Sequence, residues 1–298
     1  MMPRRQHGAV LLMVAIVLAT VAALAVSVNG LASADSRSAQ GDYEVRAAAY
    51  LADAGVAAAR WSSQVAACTS KSIAATPLGS GTFAAEVPTT KGTAKKIDIV
   101  ARGAVNGGTL RTLERKQVTL NDLSKIETVR LTKDARDVTI DRTDDDSDDD
   151  DERLWLAFDS AHALLYWAMN DIKKDALVLS AKLTLTPYGS NGAGGTVAIQ
   201  RLTTRWDDDA TWRRPREDVA RWDGGAYIAQ PTATAAVSGA ATTEWDVTEL
   251  VNGWFSGQYS NYGMLLRLAN PGPSLRFYSL DASSSRRPVL QVLIARQC

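Results

Sequence analysis

The apolar positions of this chain begin as an unbroken run and only later become periodic. From Ala9 to Val28 the only polar residues are Thr20 and Ser27, and at about 1.5 Å of rise per residue such a helix crosses about 30 Å of hydrocarbon. Beyond Asn29-Gly30, the stretch "LASADSRSAQGDYEVRAAAYLADAGVAAARWSSQVA" is rich in alanine and free of proline. It sets Tyr43, Ala47, Tyr50, Leu51, Ala54, Ala58 and Trp61 near helical spacing. Together the two segments read as one long helix over 9–66, apolar first and amphipathic afterwards. After Cys68 the chain turns to Gly, Pro, Ser and Thr, and then Ile97, Ile99 and Ala101 alternate with other residues. "NGG" at 106–108 is a hairpin-type turn, and Leu110 to Leu120 reads as the return strand. A small antiparallel head over 67–127, packed on the second half of the helix, is expected.

From about Arg130 the period shortens to two. "KLTLTPYG" alternates Leu183 and Leu185 with polar residues, and "TVAIQRL" puts Val197 and Ile199 on one face. "LRFYSL" does the same with Leu275 and Phe277, and "LQVLIA" with Leu290, Val292 and Ile294. Short strands separated by turn clusters predict an antiparallel β-sandwich of jelly-roll type over 128–298. "DVTELVNGWFSG" interrupts them as a helical turn, with Asp246 at its start and Leu250, Val251 and Trp254 on its buried side. The expected fold class is therefore an α+β N-terminal part, a long helix plus a small sheet, followed by an all-β sandwich.

Composition narrows the chemistry. With 298 residues, 46% hydrophobic and 22% charged, the chain is long enough for a membrane segment plus one or two cored domains. Lys+Arg and Asp+Glu are equal at 33 each, so no net field draws the molecule to nucleic acid. Two cysteines, Cys68 and Cys298, cannot build a four-thiolate site, and His7 and His162 cannot make a multi-histidine metal centre. A Ser-His-Asp triad would have to use His162, and no G-x-S-x-G elbow, phosphate-binding G-x-x-x-x-G-K-[ST] or G-x-G-x-x-G after a strand is present. No catalytic residues are assigned.

The run "DDDSDDDDE", 144–152, contains only Ser147 as an uncharged residue. Mutual repulsion makes it a loop, and calcium is the hard cation its oxygens suit, through Asp144, Asp146, Asp148 and Asp150. The EF-hand pattern fails, since Asp149 stands at the turn-glycine position and Trp155 at the bidentate glutamate. A solvated acidic loop is the alternative.

Arg4 and Arg5, just before the apolar run, are retained on the cytoplasmic side and leave the bulk of the chain outside. A secretory signal cut near "LASA" (31–34) is the alternative, but the apolar stretch exceeds the usual h-region of about 7–15 residues. The leader "MMPRRQHG", the start "GAVLLMVAIVLA" and the stretch "AAAYLADAGVAAAR" resemble the N-terminus of type IV pilins, specifically minor pilins of the PilX-like and pseudopilin kind. The resemblance implies a leader over 1–8, cleavage after Gly8 by a prepilin peptidase, methylation at Ala9, and a helix retained as a filament stalk with 9–28 in the inner membrane before assembly. A glycine suits the cut because it has no side chain to obstruct the protease. Major pilins carry glutamate at the fifth mature position; here it is Met13, which favours a minor subunit. An extracytoplasmic compartment allows a Cys68–Cys298 disulfide; two unpaired thiols are the alternative.

A second resemblance covers about Leu164 to Ile294. "VLSAKLTLTPYG", "VAIQRLTTRWDDDATWRRP", "EWDVTELVNGWFSGQYSNYGMLLRLAN" and "LRFYSLDASSSRRPVLQV" are similar, in order and spacing, to the DNRLRE-domain family. These are extracellular sandwich modules related to carbohydrate-binding modules, some of which bind anionic polysaccharide. The acidic run replaces the Asn/Gly-rich loop typical of that family. Trp206, Trp212 and Trp222, with Arg205, Arg213 and Arg214, could stack on sugar rings and hold uronate or sulfate groups; tryptophans that fill the core or pin a loop are the alternative. The resulting expectation is a minor pilin among other pilins in a filament, displaying a sandwich for adhesion or polysaccharide binding at the cell surface. The competing expectations are a secretion-system pseudopilin and a surface-anchored polysaccharide-active enzyme.

Overall fold

The computed structural model describes residues 39–105, 108–144, 151–189, 194–216, 219, 221–239 and 241–298. They form two compact units, Met1–Leu120 and Asn121–Cys298. The boundary falls earlier than the expected residue 128, because the strand starting at Asn121 already pairs with the last strand of the second unit.

In the first unit, helix α1 covers 39–65. Strands β1 (Ile73–Leu78), β2 (Gly81–Glu86), β3 (Lys96–Val105) and β4 (Leu110–Thr119) follow it and form one antiparallel sheet in the order β1-β2-β3-β4. β3 alternates as its sequence predicts, with Ile97, Ile99, Ala101 and Val105 buried. α1 packs on the sheet mainly through alanines: Ala48, Ala52 and Ala59 are buried together with Leu51, and a Cβ on Gly103 would run into the Ala48 carbonyl and the Ala52 amide. That close approach of backbones decides which side of the helix faces inward. Tyr43, Tyr50 and Trp61, which also fall near helical spacing, lie on the opposite side and are 61%, 74% and 61% exposed.

The second unit contains β5 (Asn121–Leu131), β6 (Arg136–Asp141), β7 (Arg153–Leu156), β8 (Ala161–Tyr166), β9 (Leu177–Leu185), β10 (Gly195–Arg201), β11 (Ala233–Val237), β12 (Thr243–Asp246), β13 (Met264–Leu268), β14 (Leu275–Tyr278) and β15 (Val289–Gln297). A 3-10 turn at Met169–Asp171 follows β8, and helix α2 (Thr248–Phe255) follows β12. The sheets are β11-β10-β13-β8-β6, β12-β9-β15-β5 and the ribbon β14-β7, with every recorded pairing antiparallel. Leu183 and Leu185 of β9 and Leu290, Val292 and Ile294 of β15 share one core with Val197 and Ile199 of β10, Leu266 of β13 and Leu165 of β8. Each Leu-sized side chain buried there contributes about 1.5–3 kcal/mol. Trp245 of β12 joins the layers, its indole Nε1 donating to Val197 O at 3.2 Å with its ring edge-on to Phe277. α2 starts where the Asp246 carboxylate accepts the Thr248 N–H at 2.9 Å, and it buries Leu250, Val251 and Trp254.

This architecture corrects the expected fold class. The described chain is mainly β, in four sheets, and its helices are limited to 39–65, the eight residues of α2 and one 3-10 turn. An α+β part governed by one long helix over 9–66 does not describe it. Strand alternation organises most of the sequence beyond residue 72, and even the first unit is framed by a four-stranded sheet. Among the described residues no helix is long and apolar enough to cross a membrane; the run 9–28, with Gly8 and Ala9, lies outside them.

Candidate ligand cleft

The five-stranded sheet is buried on both faces from β6 through β8 and β13 to β10, while its edge strand β11 exposes Thr234 and Ala236. The residues that point away from the inter-sheet core, Val138 and Ile140 of β6, Leu164 of β8 and Leu265 of β13, form a second core with Leu202, Trp206, Ala210 and Trp212 from the long connection between β10 and β11. Three tryptophans tie this connection down. Trp206 Nε1 donates to Tyr262 O at 2.8 Å, Trp212 Nε1 to the Asp223 carboxylate at 2.6 Å, and Trp222 Nε1 to Thr211 O at 2.7 Å. Gly224 lies at φ +72°, and a Cβ there would come within 2.7 Å of the Trp212 ring, so a side chain would strain the backbone and push out the indole.

His162 of β8 lies beneath this layer. Its ring centroid is 4.8 Å from that of Trp212, and Nδ1–H donates to Gly224 O at 2.8 Å, which fixes the neutral tautomer with the proton on Nδ1. Nε2 is buried with no hydrogen-bond partner among the described residues. Burial is the main reason its pKa falls to about 4, and nearby Arg267 adds to the effect. The opposite shift occurs at Asp137 of β6, where burial pushes the carboxyl up to about 7 although it accepts the Leu280 N–H at 2.8 Å; Asp281 and Asp208 push the same way.

At the free edge of this sheet an open cleft of about 330 Å³ is lined by Arg136, Tyr166, Arg205, Trp206, Asn261 and Tyr262. Arg136 opens edge strand β6 and stands opposite Tyr166 in the β6–β8 register. Its guanidinium carbon lies 4.6 Å from the Tyr166 ring centroid and 5.4 Å from that of Trp206. Two aromatic faces hold the cation without neutralising it, and its Nε is buried with no acceptor. Asn261 shapes the floor, donating to Trp167 O at 2.8 Å while its own carbonyl oxygen accepts the Gly263 N–H at 3.0 Å. Arg205 is exposed at the rim. Neither arginine has a carboxylate partner among the described residues. A guanidinium offers paired N–H donors in the geometry of a carboxylate or sulfate.

The residues singled out from sequence therefore separate. Arg205 and Trp206 meet at the cleft, although Trp206 is only 2% exposed and its N–H is committed to the main chain. Trp212 is 6% exposed, Trp222 is half-buried, and Arg213 and Arg214 are exposed but do not line the cleft. Arg136, Tyr166, Asn261 and Tyr262 escaped sequence reasoning because strand register brings them together. Asp144 is exposed, while Asp146, Asp148 and Asp150 lie outside the described residues. Among the described residues no group of three or more His, Cys, Asp or Glu side chains could hold a metal ion. Cys68 and Cys298 are both disulfide-bonded. In comparison with known proteins, no family model matches the chain and no curated protein matches it.

Proposed function

We propose that this chain is a minor subunit of a type IV filament, anchored through the apolar run at 9–28, whose second unit binds acidic extracellular polysaccharide without transforming it. The observation that carries the binding half is the Arg136 guanidinium, lying over the Tyr166 and Trp206 rings with no carboxylate partner among the described residues and joined by Arg205 at the rim of an open cleft. Such a site favours a polymer with a carboxylate or sulfate on each sugar: the charge meets the guanidinium, and the apolar sugar face meets the Tyr166 and Tyr262 rings. The filament half rests on the leader, the apolar run and Met13 at the fifth mature position.

Two experiments test the halves separately. Mass analysis of the mature N-terminus from a host with a prepilin peptidase is expected to find methylated Ala9; a terminus at Asp35 contradicts the filament reading. Incubation of the full chain with a polyuronate and with an uncharged glucan is expected to show retention of the polyuronate alone, with no new reducing ends. Polymer cleavage would favour an enzyme.

A further inference from the structure

A second recess lies at another place in the sandwich, between the 3-10 turn at Met169–Asp171 and the end of α2. It encloses about 570 Å³, within the range typical of small-molecule sites. Its apolar surface comes from Met169, Ile172, Trp254 and Phe255, and Lys173 and Lys174 stand at its rim. Both lysines are exposed, and neither has an ion-pair partner among the described residues. Of the two carboxylates that flank the lysines in sequence, Asp171 is already engaged by the Lys133 ammonium at 3.0 Å and by the N–H groups of Thr132 and Lys133. Those contacts hold its pKa below the usual carboxylate range against the opposing effect of burial. The exposed Asp175 does not line the recess.

Trp254 supplies an independent sign. It is 6% exposed, yet its indole N–H is buried with no acceptor among the described residues. The indoles of Trp206, Trp212, Trp222 and Trp245 all donate to main-chain or carboxylate oxygens, and among the described residues only Trp155 of β7 shares the unfilled state of Trp254. A buried donor left unfilled is destabilising, and here it belongs to the lining of an apolar recess edged with two lysines that make no ion pair among the described residues. We propose that this recess binds a small amphiphilic carboxylate, with its head accepting from the Trp254 N–H and facing Lys173 and Lys174, and its aryl or alkyl body against Met169, Ile172 and Phe255. The site is separate from the Arg136 cleft and does not depend on the polysaccharide reading.

The test uses the full chain, held in phosphatidylcholine nanodiscs with its tryptophan indoles ¹⁵N-labelled, and 4-phenylbutyrate as probe. W254F identifies the Trp254 N–H signal, and empty discs correct for partition into lipid. The expected result is a saturable shift of that signal. Affinity should rise roughly tenfold from phenylacetate to 4-phenylbutyrate, at roughly threefold for each added methylene. It should fall at least about tenfold in K173Q/K174Q and for 4-phenylbutanol, and stay unchanged in R136Q. Equal affinity for the acid and the alcohol, or an unaltered affinity in K173Q/K174Q, overturns the proposal. So does the absence of any shift up to the solubility limit of the probe. A Trp254 shift produced only by replacing phosphatidylcholine with phosphatidylglycerol would assign the recess to a lipid headgroup, and also overturns it.

Discussion

His162 and Asp137 carry opposite buried-charge penalties, and between them they should flatten the pH dependence of stability. For His162 the pKa falls from 6.5 to about 4 on folding. The stability it contributes is complete above pH 6.5 and is lost as the pH falls towards 4. For Asp137 the pKa rises from 3.8 to about 7, so its contribution is complete below pH 3.8 and is lost as the pH rises through 7. Between about pH 4 and 6.5 the folded chain holds its proton on Asp137 and the unfolded chain holds one on the histidine. The proton count is equal, so the pair contributes no slope. Removing either member uncovers the other. In H162N stability should decline by about 1.4 kcal/mol per pH unit relative to the parent as the pH rises across this window, and in D137N it should rise by about the same amount. Across the whole window the two variants should diverge from the parent in opposite directions by about 3 kcal/mol each. Urea unfolding of the full chain in a mild non-ionic micelle, followed by tryptophan fluorescence at half-unit pH intervals, measures this. Every tryptophan but Trp61 lies in the second unit, so the signal reports on the unit that holds both groups. Profiles of H162N and D137N parallel to that of the parent between pH 4 and 6.5 would refute the reasoning.

Three further outcomes follow from the packing. G103V should force α1 off β3, where a Cβ already meets the Ala48 and Ala52 main chain, and lower the stability of the first unit by about 2–3 kcal/mol in circular-dichroism melts; G108V, with nothing near its Cβ but a φ of +97°, should cost about 1–2 kcal/mol through backbone strain alone. W206F should leave Tyr262 O without its indole donor and destabilise the second core by about 1–3 kcal/mol in the urea assay, and an unchanged midpoint would count against the pinning role of that indole. Thiol titration of the unreduced, denatured chain should find no free thiol, because Cys68 and Cys298 are both disulfide-bonded, with both thiols appearing after reduction.

The parts of this fold that were legible in sequence are those with one buried face. Leu183 and Leu185, or Leu290, Val292 and Ile294, alternate with half-exposed or exposed neighbours, so a period of two survives. β8 reads AHALLY, and five of its six residues are buried because the sheet is covered on both sides; the period disappears, and with it any local sign of the second core. α1 misleads for another reason. Helical spacing is satisfied by the aromatics and by the alanines alike, and only the proximity of Gly103, about fifty residues away in the chain, selects the alanine face. The cleft was half legible. Arg205-Trp206 is visible as a dipeptide, but Arg136 gains its aromatic neighbours only through the β6–β8 register and the fold of the connection after β10. His162 could be singled out as the one histidine outside the N-terminal head, yet nothing in its local sequence places it beneath Trp212.

The claim that the Arg136 cleft holds an acidic polysaccharide is tested most directly by titration calorimetry of a polyuronate into the full chain in nanodiscs, comparing the parent with R136K and R136Q at two salt concentrations. The parent should bind, and binding should weaken as salt rises. R136Q should lose about ten- to a hundredfold in affinity, and R136K should recover only part of it, because an ammonium cannot reproduce the paired donors of the guanidinium that lies over Tyr166 and Trp206. Equal affinity in all three proteins, or polyuronate binding no tighter than that of an uncharged glucan, would contradict the account.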